Sequence, residues 1–365
     1  MIEAYSILDL SNIDHLVSID EAVEDILEKK SVEEIINKES LDTDSRKEIP
    51  LYMQTAYKLA KSYTILARSP ELHFTMVVEL KEDYKTDKQI IIRKISQLEN
   101  IRRQAPQISW DMLIVENQPE TPDDNLKNSL IGKYTGNNVE IFCLEKALAE
   151  DSTIEKTIES NDKQTLALKL ALWTAAQKTF KKKKHIIIHT EAENRTHFGQ
   201  LGLIIEKIAT AEVQIAIGSR ISKNSITQSD FFPSTWENVY NYSTEKLFQD
   251  FEFAKDIDCP IKAFTSEFIK ENIEKLKISD SELMLIAENN KANSVGISPI
   301  AFIENNKNFN KLSLIKLKLL PVIYRNYGKA QAKSEQYIKF IEKIEQTNWE
   351  NSIQDIENEM KAIFV

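Results

Sequence analysis

The chain has 365 residues, 42% of them hydrophobic and 28% charged, and carries a formal net charge of −10. It is long enough for a large buried core with appended elements, and its composition is that of a soluble globular protein, not a disordered one. The acidic balance argues against nucleic-acid binding, two cysteines (Cys143 and Cys259) without metal-type spacing argue against disulfide or zinc frameworks, and only 7 glycines disfavour glycine-rich phosphate loops.

The opening "MIEAYSILDLSNIDHLVSIDEAVEDI" is acidic where a secretory leader is basic. No uncharged apolar run approaches the roughly 18 residues of a membrane helix, so the expectation is a cytoplasmic protein. Residues 1–72 read as a helical extension. "IDEAVEDILEKKSVEEIINK" places Ala22, Val23, Ile26 and Leu27 on one helical face, with Asp20 and Ser31 as candidate N-caps, and "LYMQTAYKLAKSYTILAR" is a further helix ended by Ser69-Pro70.

From residue 73 the pattern turns to β and α in alternation. "HFTMVVEL", "WDMLIVEN", "VEIFCL", "HIIIH" and "VQIAIGS" read as strands, separated by the amphipathic helix "KQIIIRKISQLENIRRQA", the long helix "KQTLALKLALWTAAQKTF" and a helix near 198–209. Such alternation predicts a mainly parallel sheet with helices on both faces, which binds ligands beyond the carboxyl ends of its strands. Glu79, Glu116, Glu191 and Glu193 all fall at such ends. From 306 to 365 the chain returns to helices, with Pro321 kinking the first. The stripe at 311–325, with Lys316 and Lys318 among leucines, suits packing on the domain or lying on a membrane surface.

Glu191 and Glu193, one residue apart just past an isoleucine-rich strand, form a hard-oxygen pair suited to Mg2+ or Mn2+, an ion that can neutralise a nucleotide diphosphate and make it a leaving group. Read alone, two such carboxylates are more often a solvated loop feature. The lysines at 181–184 read as a solvated helix end, His185, His189 and His197 as structural, Trp173 and Trp236 as core or interface, and Cys259 as a small buried hydrophobe.

The stretch "IIIHTEAENRTHFGQLGLIIEKIATAEVQIAIGSR" resembles the strand, Asp-x-Asp, helix, strand, Gly-Ser-Arg segment of family 2 glycosyltransferases of the dolichyl-phosphate-sugar synthase type. Here "TEAE" stands for the family's "TDAD", and Gly218, Ser219 and Arg220 are kept. "DIDCPIKAF" (256–264) resembles the family's "D-x-x-C-G-F-K-x-F", and "ISDSELMLIAENN" (278–290) resembles "F-D-x-E-L-L-x-x-A", followed by "VGISPIAFIEN" where the family has a strand. More faintly, "FTMVVELKED" and "WDMLIVENQPETPDD" match the family's first two strand ends. The resemblance covers roughly residues 73–305 and implies a GT-A fold between N-terminal and C-terminal helical extensions.

It implies Glu79 and Glu116 near the nucleobase and ribose, and Glu191 and Glu193 as metal and diphosphate ligands. Arg220 would line a phosphate site, and Asp280 would act as general base near the sugar. Lys163 alone stands for the family's lysine-glycine turn. Arg195 takes the place of a glutamine near the metal, so a guanidinium there would contact diphosphate directly. Departures are plain: glutamate moves each carboxylate outward by roughly 1.5 Å, a misplacement that can cost about 100-fold in rate, and Pro260 and Ile261 replace the family's glycine and phenylalanine.

The expected function is transfer of a sugar, with inversion, from a nucleotide-diphosphate sugar. The acceptor stays open among lipid phosphate, glycan, small molecule and protein, and the terminal helices offer material for an oligomer. The alternative is an inactive GT-A protein serving as a binding or scaffold subunit. A nucleotidyltransferase would want a glycine-rich phosphate loop near the N-terminus, and none is present.

Overall fold

The computed structural model describes residues 8–37, 49–80, 88–116, 138–144, 163–181, 183–210, 212–228, 256–257, 259–275, 295–303, 335 and 339. The expected Asp280, the block at 278–290, Trp236, Pro321 and the 311–325 stripe lie outside the described residues, as does nearly all of 306–365. In chain order come helices α1 (Ile13–Lys29), α2 (Val32–Asn37) and α3 (Leu51–Arg68), then strand β1 (Leu72–Glu79), α4 (Lys88–Gln104), β2 (Ser109–Glu116), β3 (Val139–Cys143), α5 (Lys163–Gln177) and β4 (Lys184–Glu191). A short turn, Phe198–Gln200, leads into α6 (Leu201–Ala209). After it follow β5 (Ile215–Ser219), β6 (Ile226–Thr227), β7 (Lys262–Thr265), α7 (Ser266–Asn272), β8 (Gly296–Pro299) and β9 (Ala301–Phe302).

Seven strands form one sheet in the order β3-β2-β1-β4-β7-β5-β8. β1 pairs in parallel with β2 and β4, β2 with β3, and β5 with β8, while β7 runs antiparallel between β4 and β5. The expected α/β class with a mainly parallel sheet is borne out. β1 is buried at every position, which explains why "LHFTMVVE" reads as a nearly continuous apolar run instead of an alternating one. β7 was not foreseen as a strand: "IKAF" is too short for a periodicity signal and was legible only as part of a motif.

Strand register sorts the helices onto the two faces. His73 and Thr75 of β1, Asp111 of β2 and His185 of β4 share one face, where Lys178, just past α5, bonds Asp111 at 2.8 Å and Phe180 stacks on His73. Ile186 and Ile188 share the opposite face with Ala263, Ala216 and Gly296. There Ser298 Oγ donates to Leu203 O of α6 at 2.6 Å. Helices therefore cover both faces.

The N-terminal helices extend this second layer. α1 buries Leu16, Ile19, Ala22, Val23 and Ile26, a three-to-four spacing, against α3. Its N-cap is Asn12, whose Oδ1 accepts from Asp14 N at 2.9 Å, and not Asp20, which lies inside the helix; the polar Asn12 ahead of Ile13 starts the helix two turns earlier than the apolar stripe suggests. Ser31 does cap α2, with Glu34 Oε2 accepting from Ser31 N at 2.8 Å in a capping box. α3 packs against α6 at Gly202, where an added Cβ would stand 2.4 Å from Ser62 O.

At the amino edge of the sheet a buried polar cluster ties strands to α5. His73 Nδ1 meets Ser109 Oγ at 2.8 Å, His73 Nε2 lies 3.3 Å from Asp111, and His185 Nε2 meets Thr75 Oγ1 at 2.8 Å. Burial, then His73, pushes His185 down to about 4, while hydrogen bonds from His73 and Lys178 outweigh burial and hold Asp111 at about 2. The unfolded chain takes up a proton at His185 near pH 6.5 and the folded chain only near 4, so this group's stabilising effect is complete above 6.5 and lost as pH falls towards 4. Asp20, raised to about 6 mainly by burial, works in the opposite direction over part of that range.

Two outcomes are expected from urea unfolding. Gly202→Ala lowers stability by about 1–3 kcal/mol, because the displaced neighbour is a helix backbone that cannot give way. Wild type loses stability relative to His185→Gln between pH 6.5 and 4; a constant difference across that range would contradict the assignment.

Candidate functional site at the carboxyl edge

In-register pairing of β1 with β4 sets Glu79 opposite Glu191, each the last residue of its strand. The chain then folds over the edge: Ala192 N donates to Glu79 O and Glu193 N donates to Glu191 O, both at 2.9 Å. His189, two residues before Glu191 and on the same face, places Nε2 3.4 Å from Glu79 Oε2, and both side chains are buried. Glu193 is buried at 8% exposure and Glu191 half-buried at 19%, so neither is a fully solvated loop carboxylate.

Arg195 stands between the two. Its Nε is paired with Glu193 Oε2, and its Nη2 lies 3.4 Å from Glu191 Oε2. The loop carrying it is fixed from several sides. Lys94 of α4, wholly buried and pushed down to about 7 by burial, donates from Nζ to Thr196 O and lies 4.3 Å from the Phe198 ring. Phe198 N donates to Gln97 Oε1 at 2.9 Å. Gln200 brackets Ala301, accepting from its N at 2.8 Å and donating to its O at 2.9 Å, and Ile303 N donates to Arg195 O at 2.8 Å. His197, held neutral by burial at about 3, accepts from Gly199 N.

These bonds bring β9 beneath the loop, and with it Phe302. The Arg195 guanidinium lies 5.6 Å from the Phe302 ring centre and that of Arg220 5.4 Å from the same ring, within cation–π range. Arg220 is itself clamped by Asp256: its backbone N donates to Oδ2 at 2.5 Å, Nε to Oδ1 at 2.9 Å and Nη2 to Oδ1 at 2.5 Å. The Gly-Ser-Arg and Asp-x-x-Cys blocks, 36 residues apart, thus meet through a buried ion pair. Gly218 is needed for that meeting, because a Cβ there would stand 2.8 Å from Ile261 and 3.2 Å from Cys259, whose thiol burial pushes up to about 12.

Of the residues singled out in the sequence, Glu79, Glu191, Glu193, Arg195 and Arg220 are gathered around this edge. Glu116 ends β2, next to β1, so its backbone lies at the same edge. Lys163 opens α5, whose far end meets the amino edge at Asp111, so it starts towards the carboxyl edge. Phe302, Lys94 and Gln97 escaped sequence reasoning, since nothing local marks a buried lysine or a ring brought in from 107 residues away. Asp256 was legible as the first residue of a quoted block, without its partner.

A hard cation is compatible with this arrangement. Two carboxylates one residue apart, offset by a single guanidinium, leave one negative charge in excess among the three, and Mg2+ commonly takes one or two protein carboxylates plus substrate phosphates and water. Among the described residues no group of three or more His, Cys, Asp or Glu side chains is gathered as a complete cage. A separate cavity of about 200 Å³ opens between α3, α6 and β8, lined by Tyr57, Lys58, Lys61, Leu203, Lys207 and Ile297 among others, and none of the site residues lines it. No described helix is long and apolar enough to cross a membrane.

No family model matches the chain, and no curated protein matches its sequence. Among solved structures, glucosyl-3-phosphoglycerate synthase from Mycobacterium tuberculosis, in complex with Mn2+, UDP and glucosyl-3-phosphoglycerate, is similar over 75% of this chain and 86% of its own, with 11% identity and a TM-score of 0.47. Mannosyl-3-phosphoglycerate synthase from Rubrobacter xylanophilus is similar over 73% and 83%, with 10% identity and a TM-score of 0.45. A mannosyltransferase from Pyrobaculum calidifontis, in complex with GDP-Man and Mn2+, is similar over 91% and 86%, with 10% identity and a TM-score of 0.42.

Truncating Asp256 to Ala strands the Arg220 guanidinium in a buried setting, and the expected loss is about 3–5 kcal/mol in urea unfolding. Asp256→Asn, which keeps an acceptor oxygen, loses less.

Proposed function

We propose that the chain is a GT-A-type glycosyltransferase of the family 2 kind, resembling the dolichyl-phosphate-sugar synthase type, that takes a sugar from a nucleotide-diphosphate donor with inversion. The observation that carries this reading is the convergence of four separate sequence blocks at one edge. Glu191, Glu193 and Arg195, then Arg220 with Asp256, then Phe302 surround a single point, where a parallel sheet binds ligands. Scattered loop residues with no common task have no reason to meet there.

In this reading Glu191 and Glu193 hold Mg2+ or Mn2+, which when bound neutralises charge on the leaving diphosphate. Arg195 and Arg220 donate hydrogen bonds to the diphosphate oxygens as its bond to the anomeric carbon breaks and it departs with the bonding electrons. Glu79 and Glu116 take the nucleoside end. If the acceptor is a hydroxyl, its oxygen forms the new bond while its proton passes to Asp280; a phosphate acceptor needs no base. The division into a core at 73–305 with helical extensions belongs to the same proposal, as does oligomerisation through those helices.

A second reading has its own observation. Both arginines are already ion-paired to carboxylates of the same chain, as in a descendant that keeps the fold and serves as a binding or scaffold subunit. Calorimetry with UDP- and GDP-sugars in the presence of Mn2+ separates the two. Saturable binding that Glu193→Ala weakens by about tenfold or more, roughly 1.4 kcal/mol, is expected of the transferase, whereas absence of binding to every donor favours the scaffold.

A further inference from the structure

Arg195 is ion-paired with both proposed metal ligands, and its position raises a competition. One guanidinium spans Glu193 and Glu191, the same two carboxylates that a divalent ion would need. A dication arriving alone meets a positive group among largely buried side chains, where like charges repel more strongly than in water. The two arginines differ in the carboxylates they are paired with. Arg220 is fixed by three hydrogen bonds to Asp256. Arg195 is paired through its side chain with Glu193 and Glu191, the proposed metal ligands themselves, its carbonyl accepts from Ile303 N, and its guanidinium lies 5.6 Å from the Phe302 ring centre, within cation–π range. Arg220 lies 5.4 Å from the centre of the same ring, so an anion bound beside Phe302 has two guanidiniums to meet.

We propose that Arg195 is a displaceable counter-ion. It occupies Glu191 and Glu193 in the nucleotide-free chain and releases them to a divalent cation when a nucleoside diphosphate supplies oxygens for its guanidinium. This rests on the donor-site reading above and deepens it: Arg195 is a positioning residue that makes cation and nucleotide enter together. By linkage each raises the other's affinity, and the cation alone binds poorly. Removing the guanidinium uncovers the carboxylates, so the variant gains cation affinity while losing nucleotide affinity.

The test titrates Mn2+ by electron paramagnetic resonance into wild type, Arg195→Gln and Arg195→Lys, without nucleotide and with UDP or GDP. Without nucleotide, Arg195→Gln is expected to bind Mn2+ about tenfold or more tighter than wild type, and Arg195→Lys, which keeps the charge, to stay near wild type. With UDP or GDP, wild type gains Mn2+ affinity by more than Arg195→Gln does. Equal Mn2+ affinity of wild type and Arg195→Gln in the absence of nucleotide overturns the inference. Should Arg195→Gln fail to fold, nuclear magnetic resonance of the Arg195 Nε–H, assigned by its loss in Arg195→Lys, replaces it. A resonance that moves only when Mg2+ and nucleotide are both present supports displacement, and one unchanged at saturation contradicts it. If no nucleotide binds any of the proteins, the donor-site reading fails, while the Mn2+-alone comparison still decides whether Arg195 guards the carboxylates.

Discussion

The parallel register of β1 against β4 is the constraint from which the rest follows. Eight consecutive pairs, from Leu72 opposite Lys184 to Glu79 opposite Glu191, lock two wholly interior strands side by side. Because side chains alternate between faces, a slip of one residue would move every apolar group to the wrong side and carry Glu79 and Glu191 out of alignment. The same register aligns His73 with His185 at the amino edge. One apolar ladder thus carries a polar cluster at each end: the lower is sealed by Lys178 and Phe180, and the upper is left to the loops that follow the strands.

The upper cluster is organised by buried ion pairs more than by packing. Such pairs add little net stability, because desolvation offsets attraction, but breaking one is costly. Their value here is geometric. Asp256 holds the Arg220 side chain at two contacts and its backbone N at a third, and the Glu191, Glu193 and Arg195 group sets the conformation of the turn after β4. Lys94, Gln97 and Gln200 hold the following loop against α4 and β9, so the charged groups rest on regular elements even though they sit on loops. The outcome is a frame in which Arg195 is paired with the two carboxylates that a cation would claim.

Much of this was legible in the sequence, for identifiable reasons. Interior strands such as "HIIIH" and "MLIVE" show as continuous apolar runs, and carboxylates at their ends mark the edge where ligands bind. The Gly-Ser-Arg and Asp-x-x-Cys blocks were visible as motifs, and their meeting accounts for the glycine at 218. What escaped was long-range. The antiparallel insertion of β7 depends on pairing with β4 and β5, and the break of 295–303 into β8 and β9 at Ile300 depends on Ser219, whose carbonyl takes the Ile300 amide at 3.1 Å. The α1 cap went to Asn12 because capping is a matter of side-chain geometry at the first turn, which an apolar stripe alone does not locate.

The central claim is that the carboxyl edge between β4 and β9 is where a nucleoside diphosphate binds. A crystal structure of the protein grown with Mg2+ and UDP or GDP tests it most directly. The account predicts diphosphate density within hydrogen-bonding distance of Arg195 and Arg220, with the base towards the ends of β1 and β2. Nucleotide density in the cavity beside Tyr57 and Lys61, with the carboxyl edge unchanged, would contradict it.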